Sequence, residues 1–230
     1  MKRILCFYLT IAVICALFGC GGEAVRPVSF PLTDDEVLAA VGQMKLSWEL
    51  SPDESQAYSE NQRSHVLRDA DMTYPGGEGN PLRAIVSSGN AAGGDYLLIS
   101  FEGTVQTEKP EPDWDCWQKQ LRLTELLWSM DEGRLTAALS KKTGPDRIIT
   151  QNLETMGAVD NLVWELSLDN GERCDVRWHC YPCDFSSSAQ TGRAVNKWAQ
   201  RLSVKIYASD KVYDYFAALS GKTTEKPAAE

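Results

Sequence analysis

Apolar and polar positions first resolve into a regular element just after residue 30. In PLTDDEV, Thr33 is placed to accept from the Glu36 N–H while the Glu36 side chain reaches back, and Leu32 and Val37 flank that box as a hydrophobic staple. Val37, Leu38, Val41 and Met44 follow at helical spacing, which predicts a helix with one apolar side. LSWELS, residues 46–51, alternates Leu46, Trp48 and Leu50 with Ser47, Glu49 and Ser51, the pattern of a half-buried strand. Further strands are predicted over 64–69, 82–87 and 96–105, separated by the turn-rich YPGGEGNP and SGNAAGGD. KPEPD, residues 109–113, then breaks the pattern and marks a boundary.

Beyond that boundary, WDCWQKQLRLTELLWSM predicts a long helix with Trp117, Leu121 and Trp128 on one side, and a shorter helix follows near 132–141. LVWELSL, residues 162–168, reads as a strand and matches LSWELS at five of six positions. Both copies follow a helical region and lead into further strands. The expected fold class is therefore α+β, with two similar helix-plus-antiparallel-sheet units in tandem over 33–108 and 112–219.

The hairpin in LVWELSLDNGERCDVRWHC has a register that alternation decides. A two-residue Asn170-Gly171 turn would set Trp164 opposite Arg177 and Leu166 opposite Asp175, mixing core and solvent residues on both faces. A three-residue loop with Gly171 in the left-handed region pairs Leu162 with Trp178, Trp164 with Val176 and Leu166 with Cys174, and leaves one apolar face. Glu165, Arg173, Asp175, Arg177 and His179 then point the other way. A third strand over 198–208 aligns Trp198, Leu202, Val204, Ile206 and Ala208, and a helix near 210–219 closes the chain.

At the N-terminus, Lys2 and Arg3 precede an uncharged apolar run from Ile4 to Phe18, followed by Gly19 and Cys20. Leu17-Phe18-Gly19-Cys20 resembles the lipobox of bacterial lipoproteins. The resemblance covers residues 1–20 and no family is recognised for the rest. It implies a signal peptide over 1–19 and a mature chain that begins at a diacylglyceryl-modified Cys20, extracytoplasmic and held on the membrane. At about 0.8 kcal/mol per buried methylene, two acyl chains suffice for stable anchoring. Residues 20–32, ending GGEAVRPVSFPL, have the Gly and Pro content of a tether, and 220–230 read as a small, polar, disordered tail.

Charge narrows the partners. The chain carries −9 at pH 7, and loses two further positive charges with Lys2 and Arg3. Such a surface repels phosphate backbones and anionic headgroups, so nucleic acid is not an expected partner and the membrane is met through the lipid at Cys20.

The remaining candidate chemistry lies in HCYPC, residues 179–183. Cys174, Val176, Trp178 and Cys180 share the core face of one strand, Pro182 is expected to end it, and YPCDFSSSAQTG is expected to be loop. A thiol–disulfide redox site at Cys180-x-x-Cys183 needs its first thiol at a helix N-terminus, where the dipole favours thiolate; here a serine-rich segment follows. Zinc held by Cys116, Cys174, Cys180, Cys183 or His179 would lack paired C-x2-C knuckles. Structural disulfides are the simpler reading. Cys174 and Cys180 sit about 20 Å apart on one strand and cannot join, which leaves Cys116 with either Cys180 or Cys183. No metal and no cofactor is expected. His65 and His179, on candidate strands among polar neighbours, read as solvated, and Asp113 and Asp115 as stabilisers of a helix start. No nucleophile elbow, zincin, dinucleotide or calcium-loop motif is present. The expected function is a lipid-anchored cell-envelope binding module, not an enzyme, with a protein or glycan partner. The alternatives are the redox protein and a glycan-binding surface, for which Trp114 is the best exposed aromatic candidate.

Overall fold

The computed structural model describes residues 29–45, 48–69, 83–107, 114–153, 157–168, 171–188 and 192–220. Helix α1 (Asp34–Gln43) starts on the capping box: Thr33 Oγ1 accepts from the Glu36 N–H (3.3 Å), and Glu36 Oε2 accepts from the Thr33 N–H (2.7 Å). Leu32 and Val37 are fully buried. The inward side is Val37, Ala40 and Val41, while Leu38 is 43% exposed, so the apolar stripe is turned from the expected one. Chain entry sets that rotation. Phe30 packs on Trp128 (4.9 Å between rings) and the Leu32 N–H donates to the buried Ser88 Oγ (2.9 Å), so the end of the segment read as tether belongs to the fold.

Among the described residues nine strands follow, in two groups. The first holds β1 (Trp48–Leu50), β2 (Gln56–Ser59), β3 (Gln62–Asp69), β4 (Arg83–Ala91) and β5 (Gly94–Thr107). Helices α2 (Trp114–Leu127) and α3 (Arg134–Ser140) lead to β6 (Arg147–Leu153), β7 (Gly157–Ser167), β8 (Arg173–Ser188) and β9 (Gly192–Tyr207), and α4 (Asp210–Leu219) ends the described chain. Strands β2 and β6 have no counterpart in the sequence pattern. All four residues of β2 are exposed, and in β6 Ile148 is 61% exposed beside half-buried Arg147 and Ile149, so apolar residues do not mark the buried side of either strand.

The expectation of two tandem units is overturned by the pairing of β5 with β9. Tyr96 lies opposite Tyr207, Ile99 opposite Val204 and Phe101 opposite Leu202, which joins both groups into one antiparallel sheet ordered β1-β3-β4-β5-β9-β8-β7-β6, with β2 beside β3. One continuous core spans both groups, including Val37, Leu67, Val86 and Ile99 together with Trp117, Leu121, Val176 and Leu202. The two WELS copies are not equivalent either: β1 pairs with β3 alone, whereas β7 lies between β6 and β8. An open edge on β5 would present unpaired N–H and C=O groups, and β9 satisfies them.

The β7–β8 hairpin adopts the three-residue register, with Leu162 opposite Trp178, Trp164 opposite Val176 and Leu166 opposite Cys174. Gly171 has φ 80°, and the Leu168 N–H donates to the Glu172 carbonyl (2.9 Å). The expected end of β8 at Pro182 is corrected. The strand runs on to Ser188 beside β9, with a register shift between Pro182 and Asp184. Past His179 no further β7 partner is matched to β8, so Pro182 sits at a bulge on a one-sided stretch, where its missing N–H breaks no second ladder.

Alternation sends Arg63, His65, Leu67, Ala84, Val86, Ile99, Val204, Val176 and Trp164 to the face that packs beneath α1, α2 and α3. On the opposite face, α4 is the described helix that packs, through Val212 and Phe216 on Tyr96 and Tyr207.

Candidate binding face

Residue rows on the α4 side of the sheet follow from the registers. Arg173, Tyr207, Tyr96 and Gly89 form the row beneath α4; Asp175, Lys205, Leu98 and Ser87 form the next. Val163, Arg177, Ser203, Ser100, Ile85 and Val66 form a third, and Asn161, His179 and Arg201 lie beyond it. The third row crosses the middle of the sheet, where no described helix packs.

Acid partners sort the arginines. Arg63 meets Asp34 (3.7 Å), Arg83 and Arg68 meet Glu54, Arg122 meets Glu132 (3.6 Å), Arg134 meets Glu172 (3.5 Å) and Arg173 meets Asp210 (3.6 Å). Arg147, facing the open rows from β6, is taken by Glu165 (2.5 Å) and Asp175 (3.8 Å). Arg177 differs from these. Its Nε donates to Asn161 Oδ1 (3.2 Å), and among the described residues its guanidinium meets no carboxylate. Asn161 is itself fully buried and fixed by donating to the Ile149 carbonyl (3.3 Å). Burial, then the nearby Arg147 charge, pull the Arg177 pKa down. His179 is lowered as well, by burial first and then by Arg177 and Arg201. Arg147, Arg177 and Arg201 therefore stand near one another on this face of an acidic protein.

Residues singled out by sequence fall elsewhere. Cys20 lies outside the described residues. Cys174 and Cys180 are buried on the core face with no disulfide on either, Cys180 at 4% exposure, and burial pushes the Cys174 thiol far up in pKa. The Cys116–Cys180 bridge is thus not formed. The side chains of Cys116, in α2, and Cys183, at the β8 bulge, lie outside the described ones, as does that of Trp198. Among the described residues no three His, Cys, Asp or Glu side chains gather as metal ligands.

Burial corrects the expectation for His65. It is fully buried on the core face, and its Nε2 bonds Asp34 Oδ1 (3.0 Å) at the first turn of α1. Burial lowers its pKa and Asp34 partly opposes this. His179, expected to be solvated, lies on the α4 side of the sheet as its register predicts but is half-buried. Trp114 is half-buried too, its ring edge-on to Trp164 (5.0 Å, 80°), so it offers no free platform. Arg177 was legible as an outward residue of β8 and as nothing more, because only three-dimensional ion pairing separates it from Arg173. Neither a protein-family model, nor a curated protein, nor a solved structure matches this chain.

Proposed function

We propose that the protein is a lipid-anchored cell-envelope binding module, non-enzymatic, whose ligand meets the sheet face around Arg177, on which no described helix packs. The observation that carries the binding half is Arg177 itself: a half-buried guanidinium, aimed by a buried asparagine and lacking an acid partner among the described residues. Half-buried positive charge is costly unless something balances it. The anchoring half rests on Leu17-Phe18-Gly19-Cys20. The redox alternative loses support from Cys180, which lies buried in the core, away from any substrate disulfide.

Each half has its own test. With Cys20→Ala no lipid can attach, so the protein is expected to leave the membrane fraction or to accumulate unprocessed. Normal processing with retention in membranes would overturn the anchor. For the face, the Cys20→Ala chain is sedimented with delipidated cell envelopes. Adding Ser203→Trp, which fills the middle of the open face, is expected to abolish co-sedimentation, while Leu38→Glu on the far side of α1 leaves it unchanged. Equal co-sedimentation of the Ser203→Trp chain would overturn the assignment of that face.

A further inference from the structure

We propose that Arg177, with Ser203 and Ser100 beside it, seats the carboxylate of an acidic sugar in an envelope glycan. This rests on the reading of the open face as the binding site and names the chemistry it takes. Asn161 occupies the Nε of Arg177 and so orients the plane of the guanidinium, and among the described residues its Nη groups meet no acid. A fixed fork of this kind matches the two oxygens of one carboxylate. Ser203 stands directly opposite Arg177 on β9, and Ser100 opposite Ser203 on β5, both half-buried, so two hydroxyls continue the row away from the cation.

The same geometry argues against other occupants. Peptides that bind sheets add to an edge through main-chain hydrogen bonds or fill apolar grooves. Around Arg177, strands β7, β8, β9 and β5 are paired on both sides, so their backbone groups are already used, and the surface offers side-chain hydroxyls and charge. A phosphate dianion calls for more than one available cation, yet Arg147 is committed to Glu165 and Asp175. Nucleic acid would meet the repulsion of a chain at −9.

The test uses the Cys20→Ala chain and isothermal titration with galacturonic acid oligomers at pH 7 and moderate salt. Binding is expected, weakened by about tenfold or more when the carboxylates are methyl-esterified. Arg177→Gln is expected to lose at least as much and Arg177→Lys to fall between, because an ammonium keeps the charge without the fork. Arg173→Gln, whose arginine serves Asp210, should bind as the parent does, and matched thermal melts show that each variant is folded. Equal affinity for the ester, no binding of any acidic oligomer, or an unaffected Arg177→Gln would each overturn the proposal. A poly-glutamate peptide that binds as tightly and depends equally on Arg177 would assign the site to acidic peptides and overturn the sugar. If Ser203→Trp abolishes envelope retention while no acidic oligomer binds, the sugar assignment falls and the binding face stands; if neither effect is seen, both fall.

Discussion

Two indole N–H groups, from Trp117 on α2 and Trp178 on β8, converge on Oε1 of Gln200 (3.3 and 3.0 Å) in the middle of the core. A buried donor left without an acceptor costs about 1–3 kcal/mol, so this one amide makes two large aromatic residues compatible with full burial. His65 shows the same economy with a titratable group. Neutral His65 donates to Asp34, and burial keeps its pKa below the ordinary 6.5. In the unfolded chain the imidazole takes a proton below about 6.5, while the folded chain accepts it only at lower pH. Between those values the unfolded state binds more protons, so stability falls as pH falls. His179 acts in the same direction. Urea midpoints measured from pH 7.5 down to 5 are expected to decline, with a slope of up to about 1.4 kcal/mol per pH unit for one such group, and His65→Gln is expected to flatten the decline. A flat profile in the parent protein would refute this.

Among the helices, α3 takes its N-terminal cap from another element. Its N-cap is Gly133 at φ 76°, and no side chain of its own caps it. Glu125, buried on α2, does so from outside: Oε2 accepts from the Gly133 N–H (2.9 Å) and Oε1 from the Leu135 N–H (2.8 Å). Two charge-assisted bonds to orphan helix donors make this carboxylate structural despite its burial. Glu125→Ala is expected to destabilise the protein by about 3 kcal/mol, read as a shift in urea midpoint, because both donors lose their acceptor in a dry site. A shift well under 1 kcal/mol would mean that water caps α3 instead. Local signals made α1 and the β7–β8 register legible, since a capping box and an alternation with one consistent face act within about twenty residues. The exposed strands β2 and β6 were not legible: a polar edge strand is held by its neighbour's backbone, and side-chain pattern carries no trace of that.

Over the whole molecule, the β5–β9 junction makes one cooperative body of what local pattern suggested were two. Heating is expected to give a single transition, with near-ultraviolet circular dichroism and tryptophan fluorescence coinciding, since Trp48 in one strand group and Trp164 and Trp178 in the other share a core. Ile99→Ala at the junction, a fully buried site, is expected to cost about 3 kcal/mol and to lower both signals together. Two separated transitions, or a loss confined to one probe, would restore independent units.

The start of α1, the hairpin at Gly171 and the last helix follow from residues near one another in the chain, because caps, turns and alternation are short-range physics. The pairing of β5 with β9, the burial of His65 under α1, the passage of β8 through Pro182 and the isolation of Arg177 from any described carboxylate were decided by tertiary structure. Each depends on which distant segment supplies a partner. A strand's pattern says which face is apolar, an arginine's position says which way it points, and neither says what stands opposite.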